Sequence, residues 1–381
     1  MTSVPISSDV LQWARDFRRL SEEDAAIKLG VTVEYLRALE RGVETPSLTM
    51  FEKIAAQYQL PQSTLFRRTR PKNPPEPADY RTLGGERPNK TFELSVAISR
   101  ARTLLTQLQR VSEDDAEYRA PALPHLRIAG DASELGERER ERLGLDFSEQ
   151  KKWASASEAF RQWRRLIERQ GVSVFMEKFP LTDCRGFTLH DAARPPCIVV
   201  NKDEEFDVAR IYTLVHEYCH LLVRKPGISD ENPTNPVEAF CNRFAAGFLI
   251  PKKALRQLLP YWPNEPVEWS GSEIAEWAKQ LKVSRRALAI RLEELGLAPY
   301  EFNKQFAYTP LTAKKKLEGE IKIPAATTRL NEVGSNYARV VIGAFDRRAI
   351  TLADAVAAFG LNPRQIETVR EAIKPRGNAG V

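Results

Sequence analysis

Only four histidines occur among the 381 residues, and two of them stand four apart in the stretch TLVHEYCHLLV at 213–223. On a helix that spacing sets His216 and His220 on one face, where both can offer a ring nitrogen to a single Zn2+ ion. Glu217 lies beside them, a carboxylate able to take a proton from water that such a metal acidifies. A catalytic zinc takes three protein ligands and keeps one position open. No histidine follows His220, so the third ligand must be a carboxylate, and Asp230, Glu231 and Glu238 are the candidates. Glu238 starts a second helical stretch, and a helix holds a ligand more rigidly than a loop. The run Asn235-Pro236-Val237-Glu238 also reads as a capping box, with Asn as N-cap and Pro in the first helical position.

These residues need elements to position them. Ile211, Leu214, Val215, Leu221 and Leu222 supply an apolar stripe that anchors the motif helix, with Arg210, Thr213 and Arg224 on its polar side. VSVFMEKF and PPCIVVN are β-branched and apolar enough for strands, with a turn-rich segment between them. The strand at 197–201 offers an edge to which an extended peptide could pair. After the motif come a loop, KPGISDENPTNP, and the helix VEAFCNRFAAGFLIP, stopped by Pro251. Helical spacing also marks 91–115, 148–170, 271–297 and 333–374. The 271–297 segment is two helices around a turn, where Ser284, Arg285 and Arg286 could meet phosphate but read better as scaffold.

Residues 9–66 form a string of short helices. Ser21 caps SEEDAAIKLG, which ends at Gly30, and TVEYLRALERG follows at once. Two short helices around a tight glycine turn make the helix-turn-helix plan. The second would carry Thr32, Glu34, Tyr35 and Arg37 toward DNA bases. Residues 1–66 nevertheless hold seven Lys/Arg against nine Asp/Glu, whereas 67–90 hold seven against three and 301–381 hold thirteen against eight. The basic character of this chain, net +6, sits in a linker and a tail, so charge alone does not bring the N-terminal helices to DNA. Five prolines mark 69–90 as that linker.

The length suits several domains: 1–68 as a helix-turn-helix domain, 69–90 as linker, 91–300 as a core holding the candidate zinc residues, and 301–381 as a helical domain that could serve as a sensor. The fold class expected is α+β and mostly helical, with an all-α N-terminal domain, a core with a small sheet, and a helical C-terminal domain. No apolar run reaches the roughly 18 residues of a membrane span. No secretory signal pattern opens the chain, and Cys184, Cys197, Cys219 and Cys241 form no C-x-x-C pair. A cytoplasmic location is the expectation.

Thr213, His216, Glu217 and His220, followed by Glu238, Asn242, Phe244, Ala245, Ala246 and Pro251, resemble the ImmA/IrrE family of zinc metallopeptidases. AIKLGVTVEYLRALERGVETPSLTMFEKIAAQYQL resembles the XRE/Cro-type repressor fold, through Ala26, Leu29, Gly30, Val31, Leu36, Glu40, Gly42, Pro46 and Ile54-Ala55. The resemblance implies a zincin-like core in which His216, His220 and Glu238 bind Zn2+ and Glu217 activates water. It also implies a regulatory endopeptidase that cleaves a repressor or partner protein in a stress, phage-defence or mobile-element response. Partners would be a protein substrate and, through 1–68, DNA, with a homodimer compatible. The alternative is a non-proteolytic transcriptional regulator or antitoxin of a toxin–antitoxin pair with a structural or latent zinc site. Tyr218 and Cys219 depart from the family's usual Leu-Gly-like pair. Cys219 reads as packing, and with Cys241 raises the idea of a redox-sensitive site. Tyr212, Tyr218 and His190 are candidates for stabilising an oxyanion.

Overall fold

The computed structural model describes residues 3–74, 77–79, 90–113, 123–191, 194–228, 235–306 and 323–374. Contacts divide the chain into two compact units. One comprises Met1–Glu76, Pro88–Arg100 and Lys178–Asp183; the other comprises Pro77–Arg87, Ala101–Glu177 and Cys184–Val381. The linker expected at 69–90 lies largely outside the described residues, as do the basic run 313–316 and the candidates Asp230 and Glu231.

The first unit is helical: α1 (Ser8–Phe17), α2 (Glu22–Leu29), α3 (Val33–Glu40), α4 (Leu48–Gln57) and α5 (Gln62–Leu65). Ser21 accepts from the Asp24 amide to start α2, and Gly30, in the left-handed region at φ 60, ends it. Thr32 starts α3 in the same way, by accepting from the Tyr35 amide. Leu11, Ala25, Leu29, Leu36, Ile54 and Tyr58 form a core without solvent exposure. Arg18 is buried there and donates to the carbonyls of Tyr58 and Gln59 and to Ser99 Oγ. Burial pulls its pKa down to about 10. Its guanidinium thereby ties the start of α6 (Phe92–Glu113) into this unit.

In the second unit follow β1 (Ala78–Asp79), α7 (Ala132–Arg142), α8 (Phe147–Lys152), α9 (Ala156–Glu168), β2 (Ser173–Glu177), β3 (Gly186–Asp191), β4 (Arg194–Asn201), α10 (Asp207–Leu222), β5 (Gly227–Ile228) and α11 (Pro236–Leu249). Then come α12 (Lys252–Leu258), α13 (Gly271–Leu281), α14 (Arg285–Glu294), a 3-10 turn (Phe302–Phe306), α15 (Ala325–Asp346), α16 (Leu352–Phe359) and α17 (Pro363–Ile373). The strands form one mixed sheet in the order β1-β5-β3-β4-β2. The fold is thus α+β and mostly helical, with a small sheet, as the sequence indicates.

Two expectations need correction. The segment between the predicted strands is itself a strand, β3, antiparallel to β4 with Phe187 opposite Val199. And β4, the expected docking edge at 197–201, is interior: β2 and β3 pair with it on its two sides, so no ladder groups remain for a peptide. The outer edge of β2 is occupied as well. Buried Arg164 donates to the Val174 carbonyl, and α15 packs there through Asn336, which reaches the Gly171 carbonyl and Ser173 Oγ. Gly334 breaks α15 at φ 79 and ψ 170, and a side chain there would strike Glu168 and Arg164. Glu168 in turn accepts from the Ser335 amide.

Candidate metal centre

Helix α10 is buried almost throughout its second half, from Thr213 to Leu222, which fixes its rotation and the direction of its polar side chains. His216, Glu217 and His220 are each 1% exposed and Glu238 is 0% exposed. Side chains so withdrawn from water require partners. His216 Nε2 lies 3.0 Å from Glu238 Oε2, His220 Nε2 lies 3.2 Å from Glu238 Oε1, and the two Nε2 atoms are 3.1 Å apart. Asn235 caps α11 through the Val237 amide. The Glu238 carboxylate turns to the histidines rather than closing a capping box on Asn235.

His220 Nδ1 stands 2.9 Å from the Lys225 carbonyl. A carbonyl can only accept, so Nδ1 carries the proton, and the lone pair of a neutral ring points from Nε2 into the cluster. Two imidazole nitrogens and a carboxylate therefore crowd together with little to neutralise them. Among the described residues, His216 Nδ1 and Glu238 Oε1 make no hydrogen bond. Three buried Lewis bases whose donor atoms lie within 4.8 Å of one another fit a cation. Tetrahedral zinc with bonds of about 2.0–2.1 Å would space its ligands by roughly 3.3 Å, close to the spacing seen.

Glu217 points to the sheet side. An added Cβ at Gly186 of β3 would meet Thr213 Cγ2 at 2.7 Å, the Val199 carbonyl oxygen at 2.9 Å and Glu217 Cγ at 3.1 Å. Only a residue without a side chain lets α10 lie this close under β3. Gly136 of α7 and Gly247 of α11 do the same at a helix crossing, where a Cβ on either would overlap the other helix's backbone. Neither role was read from the sequence; an isolated glycine in an apolar or helical run is the signal that could have raised it.

The remaining motif residues have structural work. Tyr218, a candidate for an oxyanion, points to α7 instead: its hydroxyl donates to Glu139 Oε1 at 2.6 Å, and Arg142 pairs with the same carboxylate at 2.7 Å. Burial pushes the Tyr218 pKa well up, keeping the phenol neutral. His190 is exposed on β3. Tyr212 sits one turn before His216, their rings 6.5 Å apart, and its hydroxyl reaches Asn242 one turn beyond Glu238. Cys219 and Cys241 are both fully buried, and burial followed by contact with Cys219 raises the Cys241 pKa. Thiols so placed are slow nucleophiles, which favours packing over redox sensing.

The comparisons agree with this geometry. Residues 167–293 match the peptidase family M78, described as the IrrE N-terminal-like domain. Residues 11–61 match the helix-turn-helix family. The chain therefore joins an IrrE-like peptidase domain to an XRE-type helix-turn-helix domain, as the sequence resemblance implies. No curated protein and no solved structure matches it. The IrrE-like stretch spans β2 to α14 and contains all four candidate residues.

In the helix-turn-helix domain Thr32 and Glu34 are exposed and Tyr35 and Arg37 half-buried. The Thr32 hydroxyl is engaged in capping α3, and Arg37 pairs with Glu22 of α2 at 2.6 Å. Among the described residues, no helix is long and apolar enough to cross a membrane.

Proposed function

We propose that this chain is a regulatory zinc-dependent endopeptidase that cleaves a repressor or other partner protein, coupled to a DNA-binding-like module. The observation that carries the reading is the convergence of His216, His220 and Glu238 in a buried cluster on two helices, with the equally buried Glu217 next to His216 in α10. These three residues would hold the zinc, which when bound supplies a Lewis acid that acidifies water and polarises a carbonyl. Glu217 accepts the proton of the attacking water and returns it to the leaving amine. Lys225, through its carbonyl, keeps the His220 ring in the tautomer that presents Nε2 to the cluster.

The regulatory purpose rests on the pairing of this domain with a helix-turn-helix domain. Such a pairing suits delivery of the peptidase to an operator-bound target or direct docking on that target. The response served would be stress, phage defence or a mobile element, in the cytoplasm. The test is to incubate purified wild type and Glu217→Gln with the products of neighbouring genes, zinc present. Cleavage by wild type and none by Glu217→Gln is the expected result. Operator binding with no cleavage under any inducing condition would instead establish a non-proteolytic regulator or antitoxin.

A further inference from the structure

Thr213 stands one turn before Glu217 on α10 and is 2% exposed. A threonine in a helix can return its hydroxyl to the carbonyl one turn back. That of Thr213 does not: Oγ1 is withdrawn from water and makes no hydrogen bond among the described residues. A hydroxyl buried without a partner destabilises a fold, so its presence calls for an explanation. Packing explains only the methyl group. A Cβ placed on Gly186 of β3 would meet Thr213 Cγ2 at 2.7 Å and Glu217 Cγ at 3.1 Å, so both side chains lie under the same point of the strand. Valine would fill that space with the same branching and no polar atom left over.

What the hydroxyl can serve is set by its neighbours. Positions four apart share a helix face, and one turn on from Thr213 is Glu217, the proton acceptor of the proposed reaction. An ionised carboxylate only accepts hydrogen bonds, and a threonine hydroxyl has one proton to give. The last torsion of a glutamate is broad, so its carboxylate can turn while Cγ stays under Gly186. We propose that Thr213 is a positioning residue for Glu217, its hydroxyl donating to the carboxylate when that group turns to receive the proton of water. One hydrogen bond then limits the directions the base can take. The inference rests on the peptidase reading above and divides the work within one side chain. The methyl group keeps α10 against β3, and the hydroxyl aims the base.

The experiment compares the full chain with Thr213→Val, which removes the hydroxyl and keeps the shape, and Thr213→Ser, which keeps the hydroxyl. The metal-free chains are melted, and the zinc-loaded chains are titrated by calorimetry with acetohydroxamic acid, a zinc ligand whose acidic proton needs a base beside the metal. Thr213→Val should melt about 2–4 °C above wild type, because an unpaired buried hydroxyl is gone. It should nevertheless bind the probe about tenfold more weakly, roughly the loss of one hydrogen bond to a charged group. Thr213→Ser should bind within about twofold of wild type, a rescue that a packing role would not produce. Glu217→Gln, which lacks the base, should lose at least about tenfold. A Thr213→Val chain that melts below wild type, or that binds the probe as wild type does, would overturn the inference alone. A wild type that takes up no zinc would overturn the peptidase reading, and the inference with it.

Discussion

Residues 26–36 and 278–288 place the same side chains at the same offsets in two different units. Ala26 and Ala278, Leu29 and Leu281, and Leu36 and Leu288 are all buried. Between them the chain turns through a left-handed residue, Gly30 at φ 60 and Lys282 at φ 56, and restarts on a hydroxyl cap, Thr32 or Ser284. The surroundings differ. Helix α3 buries only Leu36 and Leu39, and its outer side stays open at Thr32 and Glu34. Helix α14 buries Leu288, Ala289, Arg291 and Leu292, and the turn Phe302–Phe306 lies against it, with Asn303 Nδ2 donating to Glu293. The local plan is thus a solution to packing two helices. Both second helices leave their first turn open, α3 at Thr32 and Glu34 and α14 at Ser284, Arg285 and Arg286. What separates the pairs is their context, 11–61 matching the helix-turn-helix family and 271–293 lying inside the IrrE-like stretch, so α2–α3 is the candidate for DNA.

The largest effect should come from the residue that most separates the pairs. Arg291 is 1% exposed and bonds Glu137 at 2.6 Å, Glu294 at 3.2 Å and the Ile250 carbonyl. Arg291→Ala leaves two carboxylates and a carbonyl without it, and should cost about 3 kcal/mol in denaturant unfolding. Arg37→Ala, in an exposed pair with Glu22, should leave the unfolding midpoint nearly unchanged, because solvent screens such pairs. Equal losses would erase the distinction between scaffold and open helix.

Next is the glycine crossing of α7 and α11. Gly136→Ala or Gly247→Ala forces α7 away from α11, and each should destabilise by about 1–3 kcal/mol or more while weakening zinc retention, because Glu238 rides on α11. Retained stability and retained metal would show that the crossing does not position the site.

On any duplex the chain binds, Tyr35→Ala should weaken binding by about tenfold, roughly what one lost base contact costs. Arg285→Ala and Arg286→Ala should change it less than about twofold if α13–α14 is scaffold. The reverse ranking, read by electrophoretic mobility at fixed salt, would move the DNA contact to the second pair. The smallest effect is an exchange at the turns. Lys282→Gly relieves a left-handed backbone and should raise stability by up to about 1 kcal/mol, whereas Gly30→Lys should lower it by about as much.

Much of this was legible in the sequence because it depends on local rules. The caps at Ser21, Asn235 and Thr351, the helical H-E-x-x-H and the choice of Glu238 follow from spacing and from a recognisable pattern. What escaped depends on tertiary contact. β3 reads as a turn because Gly186 opens it, yet that glycine is required by the closeness of α10. Helix α7, ASELGERERER, shows no apolar stripe because it packs through Gly136 and the buried Ser133 rather than through large side chains. The role of Tyr218 depends on Glu139, 79 residues away, a distance no motif spans.

The most direct test of the central claim is metal content, measured by mass spectrometry on protein purified without added chelator. About one zinc per chain is predicted for wild type and for Glu217→Gln, with loss of zinc in the isosteric Glu238→Gln. A metal-free wild type that also fails to take up added zinc, or a Glu238→Gln chain that keeps its zinc, would contradict the three-residue centre.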